Sequence, residues 1–244
     1  MLKVLKWIGI VLGVLLVAGF LFFKIASEPK PTGEQGAAAD ALAHKMLTAI
    51  DKAAWDSTRY VQWTFAGMHD FFWDKEQNLV EVTWGENRVL FSPDELTGKA
   101  WKNGEMVSDP DKMVKKAWSF FANDGFWLNA PAKAFDAGTE RSLVKLENGE
   151  EALMVTYTSG GVTPGDAYLW LLNENGLPTS FKMWAKIVPL KGMESTWSDW
   201  ETLPTGAKIA TTHDTKGLEV KITNLKAGQK LEEMGRVDVF EELE

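Results

Sequence analysis

The 244-residue chain contains no cysteine. That absence removes disulfide frameworks, thiol nucleophiles, thiolate zinc sites and lipid-modified cysteine in one step. Histidine is scarce, with three residues in the whole chain. The common catalytic and nucleotide fingerprints are missing as well: no G-x-S-x-G, G-x-x-x-x-G-K-[ST], H-E-x-x-H, G-x-G-x-x-G or EF-hand loop occurs. The glycine-rich stretch 160–166 lacks both the Lys and the following helix of a phosphate cradle, and it reads as a loop. Positive charge is in deficit too, at 26 Lys and Arg against 34 Asp and Glu. The first 36 residues hold four Lys and two Glu, so the rest of the chain carries −10 of the total −8. So acidic a body argues against nucleic acid as a partner. No period of 20 to 50 residues repeats, which excludes propellers and solenoids.

What the chain does have is tryptophan, twelve residues of it, and one long apolar run. Residues 7–23 contain no polar side chain; as a helix they span about 26 Å, close to the ~30 Å of a hydrocarbon core. A buried core helix would carry a polar stripe, and this run has none. Lys24 at the −3 position before Ala26 spoils a signal-peptidase site, so residues 1–26 are expected to stay as a single transmembrane anchor. Lys3 and Lys6 keep the amino end in the cytoplasm. That places the protein in the inner membrane, single-pass, with its carboxy-terminal domain in the periplasm.

Residues 27–37 have the Pro, Gly and polar composition of a linker. Over 38–54, Leu42, Met46, Leu47, Ile50 and Ala53 share one side of a helical wheel, predicting a single amphipathic helix with His44 on its polar side. After Trp55 the period becomes two. Val61, Trp63 and Phe65 alternate with Tyr60, Gln62 and Thr64, and similar runs recur at 80–84, 153–157 and 218–222. Turn residues punctuate them, among them Asn103-Gly104, Asn148-Gly149, Asn173-Glu174-Asn175-Gly176 and Lys216-Gly217. Asp109-Pro110-Asp111 opens a helical insertion whose apolar spacing lasts until Asn123-Asp124-Gly125, followed by an apolar loop at 126–131. The fold class is therefore mostly β with α: a curled antiparallel sheet of about ten strands, a half-barrel over 38–244, with an amino-terminal helix and the helical insertion on its concave face.

In its order of elements the chain resembles the LolA-like superfamily of envelope carriers and sensors, which share a curved antiparallel half-barrel filled by helices. The resemblance is carried by the helix before the first strand, the strand 59–65, the Asn173–Pro178 hairpin leading to Phe181-Lys182-Met183-Trp184, and Trp197-Ser198-Asp199-Trp200 followed by Gly206-Ala207-Lys208-Ile209. Together these cover most of residues 38–226. The blocks FWLNAPAKAFD (126–136) and PGDAYLW (164–170) are also similar to an uncharacterised family of bacterial envelope proteins. The uncleaved anchor departs from LolA itself and suits a tethered receptor or sensor better than a shuttle.

Strand parity sets Trp63, Trp84 and Trp170 inward, places Trp184 toward the outer surface, and puts Trp197 and Trp200 on opposite faces of their strand. Arg59 shares parity with Trp63 and Phe65 and would stand at the rim of the concave face, where a cation can hold a ligand headgroup. The expected ligand-binding set is Arg59, Trp63, Phe65, Trp84, Phe126, Trp127 and Trp170, with the 126–131 loop as a lid. The expected ligand is apolar, a lipid or the acyl chains of a lipoprotein, and the membrane is a partner through the anchor. Neither a cofactor, nor a metal, nor a catalytic group is assigned. The alternatives are a filled half-barrel serving as a protein-interaction module, a glycan binder using an exposed Trp, or a hydrolase using His69 with Asp70 and Asp74, or His213 with Asp214.

Overall fold

The computed structural model describes residues 7, 13, 14, 19, 26–159, 164–188 and 190–243. Most of the apolar run 7–23 lies outside these residues, and among the described residues no helix is long and apolar enough to cross a membrane. The first amphipathic segment forms two helices, α1 (Ala37–Ala49) and α2 (Lys52–Ser57), instead of one. Asp51 causes the break: it adopts a left-handed φ of 52° and its carboxylate accepts the Ala54 N–H at 3.1 Å, so it caps a new helix and does not continue the old one.

Among the described residues fourteen strands follow, more than the ten or so expected. They are β1 (Tyr60–Phe65), β2 (His69–Asp74), β3 (Leu79–Trp84), β4 (Asn87–Ser92), β5 (Thr97–Lys102), β6 (Glu105–Met106), β7 (Thr139–Lys145), β8 (Glu151–Tyr157), β9 (Ala167–Leu172), β10 (Pro178–Trp184), β11 (Met193–Thr196), β12 (Ser198–Thr202), β13 (Lys208–Thr215) and β14 (Leu218–Gly228). The hairpin signals are where the pattern put them. Asn103 and Gly104, and again Lys216 and Gly217, take the paired positive φ angles that a two-residue turn between twisted strands requires.

The ladders form two open antiparallel sheets. One has nine strands in the order β12-β13-β14-β1-β2-β3-β4-β5-β6, and the other has five in the order β11-β10-β9-β8-β7. Two runs of chain join them: the segment 107–138 between β6 and β7, and the direct step from β11 of the small sheet to β12 of the large one, between which lies Trp197. Its backbone N–H still bonds Thr179 O at 2.8 Å, while Ser198 already pairs with Thr212. Asp199, at φ 52°, kinks the strand just past the seam. That kink corrects the parity reading of Trp197 and Trp200, whose rings come together on one side at 6.2 Å. Trp197 is 2% exposed and touches Trp170, Phe181 and His213.

Helix α3 (Asp111–Asn129) packs against the apolar faces of both sheets. It runs through the expected stop at Asn123-Asp124-Gly125, and a 3-10 turn, Ala130–Lys133, follows. What looked like an apolar loop is the last turn of a helix plus that 3-10 turn, because burial of Phe126, Trp127 and Leu128 between the sheets outweighs weak local stop signals. The outer faces are covered too. On the large sheet Tyr60, Phe72 and Leu90 are buried under Met234, of α4 (Leu231–Met234), and Phe240. Arg236 and Arg88 both reach Glu81 there, and Arg88 also reaches Glu242. On the small sheet Trp184 takes the face opposite Phe181 and Met183, as its parity predicts, but it is buried there and donates its indole N–H to Glu28 O at 2.9 Å. The 27–37 linker is thus bound along its length, with Glu34 bridging Leu143.

Because Trp197 alone separates β11 from β12 and is buried against Trp170, Phe181 and His213, its truncation opens a void there. Trp197→Ala is expected to lower unfolding free energy by about 3–5 kcal/mol, measured by urea denaturation of the full chain, with Trp197→Phe recovering part of the loss.

Candidate functional site

A cavity of about 410 Å³ lies between α3, the small sheet and the central strands β1 and β2 of the large sheet with the turns beside them. One wall is helical and comes from Trp118, Phe121, Ala122, Gly125, Phe126 and Asn129, which recur every three or four residues along α3. A second comes from the small sheet, with Tyr157, Tyr168, Phe181 and Met183. The third belongs to the large sheet: Trp63, Trp73, Asn78 and the turn residue Pro93. Asp136, Ala137, Ser159 and Ile187 are lining residues that are also exposed, and they mark the mouth.

The aromatic lining is held by ring-to-ring packing. Trp63 stacks on Phe71 at 4.6 Å, Phe126 lies 4.5 Å from Tyr168, and Trp127 lies 5.5 Å from Phe181. Burial pushes the Tyr157 and Tyr168 phenols up, so both are neutral donors. Lys133, the one cation among the described lining residues, sits 3.4 Å from Asp136. Asp166 accepts the Lys186 backbone N–H at 2.8 Å.

Of the seven residues expected to bind ligand, Trp63, Phe126 and Trp127 line this cavity. The other four do not. Arg59 precedes β1 and does not begin its inward face; it pairs with Asp74 at 3.1 Å and Glu76 at 2.8 Å, and these acids hold its guanidinium above its usual range. Phe65 is in the core of the large sheet, and Trp84 packs edge-on against Phe120 near the middle of α3. Trp170 is fully buried between Phe181 and Trp197, behind the cavity wall. Trp73, Trp118, Phe121, Tyr168 and Phe181 were not foreseen. The helical ones had a signal in their spacing, concealed by the expected stop at 123–125.

The histidines are not gathered into one site. His69 bonds Asp124 of α3 at 2.6 Å and stacks on Phe120 at 3.8 Å, tying the helix to β2; burial raises the Asp124 pKa against the opposing pull of His69. His44 stacks on Phe135. His213 is buried against Trp127 and Trp197. Among the described residues no group of three His, Asp or Glu is placed to hold a metal ion. Asp70 is bonded to Thr64, and Asp214 caps the β13–β14 turn through the Gly217 N–H. Among the described residues 26–243 the tryptophans are buried or half-buried.

No protein-family model and no curated protein matches the chain. Among solved structures it is similar to a DUF1329 family protein from Desulfovibrio piger ATCC 29098, with a TM-score of 0.42 and 12% identity over 84% of this chain and 99% of that one.

Burial lowers the His213 pKa to about 4, against backbone hydrogen bonds at Thr196 and Trp127 that pull it upward. The folded chain therefore holds His213 neutral, while the unfolded chain takes up a proton below the ordinary value of 6.5. Stability contributed by this residue is present above pH 6.5 and lost as pH falls toward 4, by about 3 kcal/mol in all. A thermal-melt series from pH 7 to pH 4 is expected to fall less steeply for His213→Gln than for the native chain.

Proposed function

We propose that this is a membrane-anchored envelope protein that binds an apolar, lipid-like ligand in the cavity against α3, acting as a carrier or sensor without catalysis. The observation that carries this reading is an open space of about 410 Å³ walled by aromatic rings from both sheets and the helix. Its volume falls toward the lower part of the ~300–1,000 Å³ range typical of small-molecule pockets. A single acyl chain therefore suits it better than a whole multi-chain lipid. Lys133 is already paired and the two tyrosines are neutral, so a neutral chain or ester fits these walls better than a free carboxylate. The LolA-like order of elements and the apolar run 7–23 support the same reading, with the domain in the periplasm. A half-barrel acting only as an interaction module would need no such space.

The four lining tryptophans give an intrinsic probe, since bromine quenches indole on contact. Titration of the full chain with a brominated monoacylglycerol is expected to give saturable quenching. Ala122→Phe, which fills the cavity from the helix side, should remove it. Trp127→Ala should weaken it at least about tenfold, because one buried aromatic contact is worth about 1.5–3 kcal/mol and 1.4 kcal/mol is tenfold. Quenching that never saturates, or that is unchanged by Ala122→Phe, would overturn the proposal.

A further inference from the structure

The first residues after the apolar run are fastened beside the mouth of the cavity. Ser27 Oγ accepts the Lys191 backbone N–H at 3.3 Å, and the Glu28 backbone N–H donates to Lys191 O at 2.9 Å. Glu28 also pairs with Lys182 at 2.8 Å and receives the Trp184 indole N–H on its carbonyl. The fit is close: a Cβ on Gly192, at φ 75°, would stand 2.5 Å from Glu28 Cβ. Lys191 ends the loop 185–191 between β10 and β11, and this same loop supplies Ala185, Ile187 and Val188 to the cavity wall. Only residues 24–26 separate Ser27 from the apolar run. Four Cα steps from Phe23 reach at most about 14 Å.

The loop has the composition and internal bonding that a lipid surface demands. Ile187 is 67% exposed at its tip, and Lys186 beside it is exposed as well. Several of the backbone groups that such a loop would otherwise carry unpaired into a low-dielectric boundary have partners in the protein. Lys191 Nζ bonds the Ala185 and Val188 carbonyls, Val188 N–H returns to Ala185 O at 3.1 Å, and Lys186 N–H is taken by Asp166. An apolar tip flanked by lysine matches the interface of a bilayer with anionic lipid, where apolar side chains enter the boundary and ammonium groups meet the headgroups.

We infer that the cavity mouth faces the bilayer, with Lys186, Ile187 and Val188 seated on its surface, so that an acyl chain passes between membrane and cavity beside Ile187 without crossing bulk water. This rests on the anchored, ligand-binding reading above and adds to it a docking face and its occupant, a lipid surface. The absence of native cysteine makes the test direct. Ile187→Cys and Val237→Cys, both at exposed positions, are each labelled with one environment-sensitive fluorophore in the full chain, reconstituted into vesicles of phosphatidylethanolamine and phosphatidylglycerol. Val237 belongs to the segment on the outer face of the large sheet. The label at 187 is expected to shift to the blue and to be quenched severalfold more than the label at 237 by a headgroup-attached nitroxide lipid. Equal, weak quenching at both positions, in a chain that resists alkaline extraction from the vesicles, would overturn this inference and leave the anchored reading standing. A chain that alkali extracts would overturn both.

Discussion

Two open antiparallel sheets each carry an apolar face that their own side chains leave uncovered, and the rest of this structure follows from that. Helix α3 supplies the filling. Its Trp118, Phe120 and Phe121 join the core of the nine-stranded sheet, and its Phe126 and Trp127 join that of the five-stranded one. The bond between His69 and Asp124 fixes the middle of the helix to β2, and the kinked strand at Trp197 turns one ladder into the other around it. Where the helix, the small sheet and the central strands β1 and β2 of the large sheet fail to meet, the cavity remains.

Much of the architecture was legible because its signals are local. Alternation along β1, β3, β8 and β14 and the Asn-Gly and Lys-Gly turns carry the antiparallel hairpins on their own. The site was legible in part, at Trp63, Phe126 and Trp127, and the reasons for the misses are physical. Asn123-Asp124-Gly125 reads as a helix stop, yet Asp124 is held by His69, Asn123 bonds back to the Ser119 carbonyl, and the apolar residues beyond them are wanted in the core. Parity fails at Asp199 because one left-handed residue reverses it. Arg59 sits one residue outside its strand, where acids brought from Asp74 and Glu76 claim its charge, and no period of two could announce them.

The termini act as a third layer. Strands whose outward residues include Tyr60, Phe72 and Trp184 would present apolar patches to water if they were bare. The last fifteen described residues cover the first two, through Met234 and Phe240, and the backbone at Glu28 covers the third. The segment that reads as a linker is therefore part of the packed structure, as is the carboxy-terminal one, and the acidic side chains among them, Glu28 and Glu242, pair with Lys182 and Arg88.

The pairing of β1 also orders events in time. β1 lies inside the nine-stranded sheet, between β2, its neighbour in sequence, and β14, which leaves the ribosome some 160 residues later, with Val61 set against Ala227. The first strand to be made thus waits for the last before its second edge is closed, and hairpins β2 to β6 can form long before the sheet they belong to is complete. Pairings this distant are slow, and an apolar strand with one open edge is a template for the wrong partner until they form. A chain built this way depends on whatever shields Val61, Trp63 and Phe65 during synthesis, so substitutions in β14 that leave the finished molecule stable can still reduce how much of it is ever finished.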